Sequence, residues 1–530
     1  MNAHRSPASS ARVLVPALAP FVAALALAVA APAVGSAQDV DNGRVVYERW
    51  CAECHGVDGA GDGPAAEYML PRPRDFVQAR YQVRTTPNGE LPTDADMMRI
   101  LEVGMPGTTM PAWPNLGEQQ RRDVIAYIKT FSRFFENADP QPMDFAPDPG
   151  GGDEALESGR AAYEALECWK CHGDSGRGSG QSTPTLEDWR ELPIRAADFT
   201  EPWKFNGGGT AEMIYRRMMT GLDGTPMPAY SDAVASGVVS PEQLWHVAHY
   251  VASLAPTLEP RTADLISAVR VEGELPAAPD AEAWNEARPA FVPLAGQIIE
   301  TPRALAPTVD GMWVRALHDG QRLALRLEWG DPSNSPDSTW NEWQAKIAGA
   351  LHADGADLSP DAPMSDGMAV QFPAELPDGS RRPYFLMGSS NDPVTLWTWD
   401  SQDGVAEAQG RGLGEISPLD GGDLDGESRW NDGHWEVVLT RSIAGGAEGA
   451  ITLAEGVVTP IAFFAWDGSS AETAARGSVS SWIYIHLEEP ASPNVVIAPI
   501  LAIAFSAGLL LVFVRSAQRR QRQGLARAEA

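Results

Sequence analysis

The sequence predicts a multidomain protein: two small all-α domains that repeat each other, one antiparallel β-sandwich and one C-terminal transmembrane helix. Three observations carry this. All four cysteines fall in two copies of one pattern, at Cys51 and Cys54 and again at Cys168 and Cys171. Residues 260–490 lose helical periodicity and alternate apolar with polar positions between Asp-Gly turns. Val495 to Val514 carries no charge, and at about 1.5 Å per residue such a stretch spans about 30 Å of hydrocarbon. The chain has 530 residues, 71 acidic and 40 basic side chains, and a net charge of -31. Its length predicts about three or four domains. Its acidity excludes a nucleic-acid binder, which needs clustered Lys and Arg. Four cysteines in this length exclude a disulfide-stapled scaffold.

Residues 1–37 contain no Asp or Glu. Arg5 and Arg12 precede an apolar run from Val13 to Val34, and Gly35, Ser36 and Ala37 follow it. That layout predicts a secretory signal peptide cleaved after Ala37. At the other end, Arg515, Arg519, Arg520, Arg522 and Arg527 follow the span. Basic flanks stay cytoplasmic, so residues 515–530 are expected inside and the bulk of the chain outside, on the periplasmic side of an inner membrane. Ser506 is the span's single polar side chain, so it reads as an anchor rather than a site of quinone chemistry.

The repeat runs through residues 40–137 and 154–256, with a Pro- and Gly-rich linker over 138–153. Cys51-Ala52-Glu53-Cys54-His55 and Cys168-Trp169-Lys170-Cys171-His172 share the C-x-x-C-H spacing of covalent haem c attachment. Two thiols add to the two vinyl groups of one porphyrin, and the adjacent His lies beneath the iron as proximal ligand. A zinc half-site or a redox dithiol would fit one copy. Two copies that use every cysteine of an exported chain favour haem. The sixth ligands are expected at Met110 and Met227, in Gly-Thr-x-Met-Pro-Ala turns at the same distance from His55 and His172. His/Met ligation suits electron transfer, because it leaves no open site for a substrate. Met97, Met98, Met105, Met218 and Met219 lie in helical patterns and are expected to pack in cores; His246 and His249 are expected to be packing or surface residues. The opening segments at Gly43 and Gly159 and the closing segments over 121–132 and 241–254 carry apolar residues at helical spacing.

Over roughly residues 40–135 and 156–256 the sequence resembles the class I cytochrome c family twice. The resemblance implies small helical folds with crossed terminal helices and one low-spin haem each.

In the third region, Leu323, Leu325 and Leu327 alternate with polar neighbours after Asp319-Gly320. Further strands are expected over 367–372, 434–440, 461–466 and 479–487, with turn signals at Asp366-Gly367, Asp432-Gly433 and Asp467-Gly468. This supports a sandwich with no particular ligand. Four strings narrow it: residues 313–320, Met368 to Pro373, Pro383 to Gly388, and Ser478 to Trp482. In that order they resemble the haem-binding domain of the ethylbenzene dehydrogenase γ-subunit family. That family includes cytochrome b subunits of dimethyl-sulfoxide-reductase-type molybdenum enzymes acting on selenate, chlorate and nitrite. The resemblance implies haem b between a Met, here Met387 on an expected strand, and a Lys. The Lys position holds Gly477, and Lys346 matches no ligand position, so loss or altered ligation of haem b is expected.

The expected function is electron transfer by a membrane-anchored dihaem cytochrome c with no catalytic residues of its own. By the second resemblance, its partners are a molybdopterin catalytic subunit and an iron-sulfur subunit. A haem enzyme acting directly on a small substrate and a ligand-binding module are the alternatives.

Overall fold

The computed structural model describes residues 38–256, 260–350, 364–376, 382–445, 447–490 and 493–528. The expected signal peptide lies outside the described residues.

Each repeat is helical. The first has α1 (Val40–Trp50), α2 (Asp94–Val103) and α3 (Glu118–Lys129); the second has α4 (Asp153–Ala165), α5 (Ala211–Thr220) and α6 (Pro241–Ser253). One-turn helices Ala52–His55 and Trp169–His172 carry the cysteine motifs. Side chains cap several helix starts: Thr93 accepts from the Asp96 N–H and Ser240 from the Gln243 N–H. In both repeats the first and last helices cross at a glycine. A Cβ on Gly43 would lie 2.0 Å from the Asp123 carbonyl oxygen, and one on Gly159 2.1 Å from that of His246. Gly159→Ala is therefore expected to force α4 off α6, at a cost of about 1–3 kcal/mol, read as a lowered thermal midpoint. An unchanged midpoint would mean that the crossing yields more easily than its contacts imply.

The repeats pack on each other. Arg84 is fully buried and donates to the carbonyls of Tyr81 (2.6 Å), Pro87 (3.1 Å) and, across the junction, Thr220 (3.0 Å). Arg217 returns the contact with 3.1 Å to the Gln82 carbonyl and 2.6 Å to that of Arg84. Residues 138–152, expected as a linker, form no helix or strand, but they are tied down. The Met143 N–H donates to the Thr85 carbonyl at 2.9 Å, and Trp245 Nε1 to that of Ala146 at 3.0 Å.

The sheet region contains β1 (Leu265–Arg270), β2 (Ala290–Pro293), β3 (Ala295–Gly296), β4 (Gly311–His318) and β5 (Arg322–Gly330). It continues with β6 (Gly367–Pro373), β7 (Val394–Asp400), β8 (Gly404–Gly410), β9 (Ile416–Pro418), β10 (Asp425–Trp430) and β11 (His434–Ser442). It closes with β12 (Val458–Trp466), β13 (Ser478–Val479) and β14 (Ile483–Leu487). The strand order is β10-β11-β5-β4-β1-β14-β12-β6-β7-β8-β9. β12 turns the corner between the two halves: Val458 to Ile461 pairs with β14, and Ala462 to Trp466 with β6. That split explains why the single strand expected over 479–487 is two. β13 follows the far half of β12 and β14 the near half. The sheet is not wholly antiparallel as expected, because β1 runs parallel to both of its neighbours, β14 and β4. The core between the halves holds Leu323, Leu325, Leu327, Trp397, Phe463 and Ile485, all essentially unexposed.

On β11, Glu436 is buried beside His434 and two guanidiniums. The imidazole of His434 is the foremost influence, and the guanidiniums of Arg429 and Arg326 add to it; together they outweigh burial and hold the carboxyl at about 2, against 4.5 unperturbed. A depressed carboxyl contributes stability above its unfolded value and loses it as pH falls through the folded one. The sheet region is therefore expected to lose up to about 3 kcal/mol between about pH 4.5 and 2. Glu436→Gln should flatten that slope in acid-unfolding curves.

Helix α7 (Asn341–Ala350) lies over the sheet's end, with Trp343 and Ile347 buried; Arg72 of the first repeat donates to the Ala350 carbonyl at 2.8 Å. Helix α8 (Pro493–Ala528) contains Ile497–Gly524, long and apolar enough to cross a membrane, and its apolar side chains are uncovered.

Candidate functional site

The two cysteine motifs occupy equivalent positions. Cys51 follows α1 and Cys168 follows α4; none of the four cysteines is in a disulfide. Burial pushes the Cys51 thiol up to about 12 and the Cys168 thiol to about 11. A redox dithiol needs a lowered thiol pKa, so these environments argue against that alternative.

The histidines are held alike. His55 Nδ1 donates to the Arg74 carbonyl at 2.9 Å, and His172 Nδ1 to the Ala197 carbonyl at 3.0 Å. Each ring stacks on a phenylalanine: His55 on Phe76 at 4.5 Å and 18°, His172 on Phe199 at 4.2 Å and 21°. Burial lowers both imidazole pKa values, favouring the neutral ring. The Nδ1–H bond selects the tautomer whose Nε2 lone pair is free for a metal. Tyr47 Oη donates to the Gly56 carbonyl (2.7 Å) and Tyr163 Oη to that of Gly173 (2.6 Å), pinning the turn after each motif.

The methionine turns also match. The Met110 N–H donates to Thr108 Oγ1 and that of Met227 to Thr225 Oγ1, both at 3.2 Å. Their carbonyls accept from the Met105 and Leu222 N–H groups at 3.0 and 3.2 Å. Both side chains are half-buried against the helical cores. Among the competitors, Met97, Met218 and Met219 are core residues as expected. His246 Nδ1 is engaged by Ser158 Oγ at 3.0 Å and His249 Nε2 by Asp148 at 2.8 Å.

These residues fit haem c. The thiol pair, the oriented imidazole and the thioether turn recur in both copies. Tyr81 Oη and Trp113 Nε1 are buried without hydrogen-bond partners among the described residues of the first, as a polar group seated there would require. No signal in the sequence marked Tyr81; its role needs the fold.

The third region does not fit haem b. Met387 lies in a turn, not a strand, with φ +58. It is packed with Leu386, Phe464, Trp466 and Val479 at 1% exposure. A Cβ on Gly477 would stand 2.5 Å from the Ala465 carbonyl oxygen, so a lysine would push into β12. Lys346 Nζ is paired with Glu187.

Comparison with known proteins agrees region by region. Residues 40–132 and 156–255 match the cytochrome c family model, and residues 281–411 match that of ethylbenzene dehydrogenase. A protein of Haloferax mediterranei named as a respiratory nitrate reductase heme subunit is 27% identical over 242 residues, 45% of this chain and 77% of that protein. The chlorate reductase subunit gamma of Ideonella dechloratans is 29% identical over 226 residues, 42% of this chain and 83% of its own. A chain of the reducing HAO-like protein complex of Kuenenia stuttgartiensis is 41% identical, covering 41% of this chain and 98% of that one, with a TM-score of 0.39. The chain thus carries cytochrome c domains followed by a domain of the ethylbenzene dehydrogenase type.

Proposed function

We propose that the chain is the electron-transfer subunit of a respiratory reductase complex, tethered to the membrane by α8 with its domains on the periplasmic side. The observation that carries this reading is the repeated site: paired cysteines, a histidine oriented by a carbonyl, and a methionine in a matching turn. Haem c, when bound, supplies one-electron transfer. Cys51 and Cys54 would hold one group and Cys168 and Cys171 the other. His55 with Met110, and His172 with Met227, would ligate the irons. The residues' part is to keep both axial positions filled and the rings buried, so that electrons pass without substrate binding at the metal. The catalytic step belongs to a partner, by likeness to the family a molybdopterin subunit with an iron-sulfur subunit. The ethylbenzene dehydrogenase-type domain would serve docking rather than hold haem b.

Haem stoichiometry tests this. Two covalently bound haems per chain and none extractable by acidified organic solvent are expected, and the chain should copurify with redox subunits. Extractable haem would restore Met387 as a ligand. A colourless mature protein would end the reading.

A further inference from the structure

Three aspartates sit where three strands end. Asp331 follows β5, Asp366 precedes β6 and Asp467 follows β12; they are at most 1% exposed. One carboxylate oxygen from each lies within 4.8 Å of the others. Oxygens bound to one calcium ion at about 2.4 Å can be no more than about 4.8 Å apart, so the spacing matches a single coordination sphere.

Charge and hydrogen bonding both leave the group incomplete. Among the described ion pairs, Arg195 alone reaches it, with Nη2 2.9 Å from Asp467. With Glu472, whose Oε2 accepts from the Asp467 N–H at 3.1 Å, four buried carboxyl groups gather against one guanidinium, and buried charges need partners if the groups are to ionise. Asp366 accepts from the N–H groups of Gly468 (2.9 Å) and Ser335 (2.6 Å) and from Trp435 Nε1 (3.1 Å). Asp467 accepts from the Ser469 N–H (2.8 Å) and Thr308 Oγ1 (2.7 Å). Asp331 differs. Its Oδ1 takes the Ser333 N–H at 3.1 Å, but Oδ2 is buried and accepts from none of the described residues. A buried carboxyl oxygen without a donor, on a residue clustered with two further aspartates, is open to a cation. A second cluster in the sheet, Glu328, His434 and Glu436, already has Arg326 and Arg429 against its carboxylates.

We propose that Asp331, Asp366 and Asp467 bind one divalent, oxygen-preferring cation of the calcium class, and that this ion fixes the sheet region's grip on the second cytochrome domain. The connection is short on both sides. Arg195, on Asp467, lies two residues before the carbonyl that orients His172. The Asp331 N–H donates to the Gly433 carbonyl at 2.9 Å, and the adjacent Asp432 holds the Ser175 N–H at 2.7 Å and Ser179 Oγ at 2.5 Å. Three oxygen ligands of this class suit calcium better than zinc or copper, which favour nitrogen and sulfur. The inference is independent of the haem assignment.

The test uses the purified full-length protein. Elemental analysis of protein prepared without chelator should find about one calcium per chain. Dialysis against EGTA should remove it and lower the thermal midpoint by several degrees, restored by millimolar CaCl2 but not by equal MgCl2. Asp331→Asn should weaken calcium binding at least tenfold while leaving the chelated protein no less stable than the chelated wild type, because one like charge is gone. No retained calcium, together with a midpoint indifferent to EGTA and CaCl2, would overturn the proposal. Should Asp331→Asn not fold, the wild-type metal content and midpoint decide alone.

Discussion

Cys168→Ala with Cys171→Ala is expected to halve the covalent haem and to lower electron transfer to or from the partner complex by more than tenfold. The ethylbenzene dehydrogenase-type domain holds the segments around the second site at two points, whereas near the first site Arg72 donates to the Ala350 carbonyl. Asp432 holds the loop just after His172, and Arg195 reaches across from the segment whose Ala197 carbonyl orients it. If the partner docks on that domain, the second haem is its nearest contact. Cys51→Ala with Cys54→Ala is the control: it too should leave one haem, and if the two act in series it should also block transfer. Haem-stained gels and stopped-flow reduction with the partner read both variants. Full transfer by either one-haem variant would mean that the centres act separately. Loss of both haems from a single-site variant would mean that the two domains mature as one unit.

The two halves of the protein differed in how legible they were. The repeated candidate sites were legible because their pattern is local: C-x-x-C-H fits in one helical turn, and the repeat placed Met110 and Met227 in matching turns. The carbonyls of Arg74 and Ala197, and Phe76 and Phe199, could not be read, because they reach the histidines from 19 to 27 residues away. In the sheet region, the sequence located β5, β6, β11 and most of β12, and β13 with β14 as one strand, but not β1, β7, β8 or β10. The parallel pairing of β1, and β12 serving both halves, follow from long-range topology that no local pattern encodes. The three Asp-Gly signals are instructive. Asp432-Gly433 is a turn as expected, whereas Asp366 and Asp467 are buried at strand ends in the acidic cluster. The dipeptide marks a chain reversal or strand end; whether water or protein surrounds it is decided by what packs above, here α7 and the second cytochrome domain. Met387 was misplaced for a related reason: an apolar string read as a strand is a left-handed turn closed by the Gly388 N–H to the Tyr384 carbonyl at 2.9 Å.

Arg195→Met is expected to loosen the sheet region from the second cytochrome domain. Asp467 is fully buried, while Arg195 is 29% exposed at its side chain and lies over the Trp343 ring at 5.6 Å. Methionine retains the stem that packs on the ring and removes the charge, so the loss reports the ion pair rather than a cavity. Breaking a buried pair from one side costs about 3–5 kcal/mol, and Arg195's partial exposure puts the expectation at the lower end. Asp432→Ala acts at another contact, where one carboxylate accepts from Ser175 and Ser179. Hydrogen bonds to a charged group contribute about 1.5–3 kcal/mol each when the partner is left buried. Either variant alone should retain both haems and a docked arrangement, with a lower midpoint. Together they should uncouple the units, giving two unfolding transitions in calorimetry and protease cleavage between the second cytochrome domain and β1 that releases an intact haem-bearing fragment. A single cooperative transition in the double variant would show that the Arg84 and Arg72 contacts and α7 hold the assembly without them, and that the grip on the loops around His172 serves the haem's surroundings rather than the architecture.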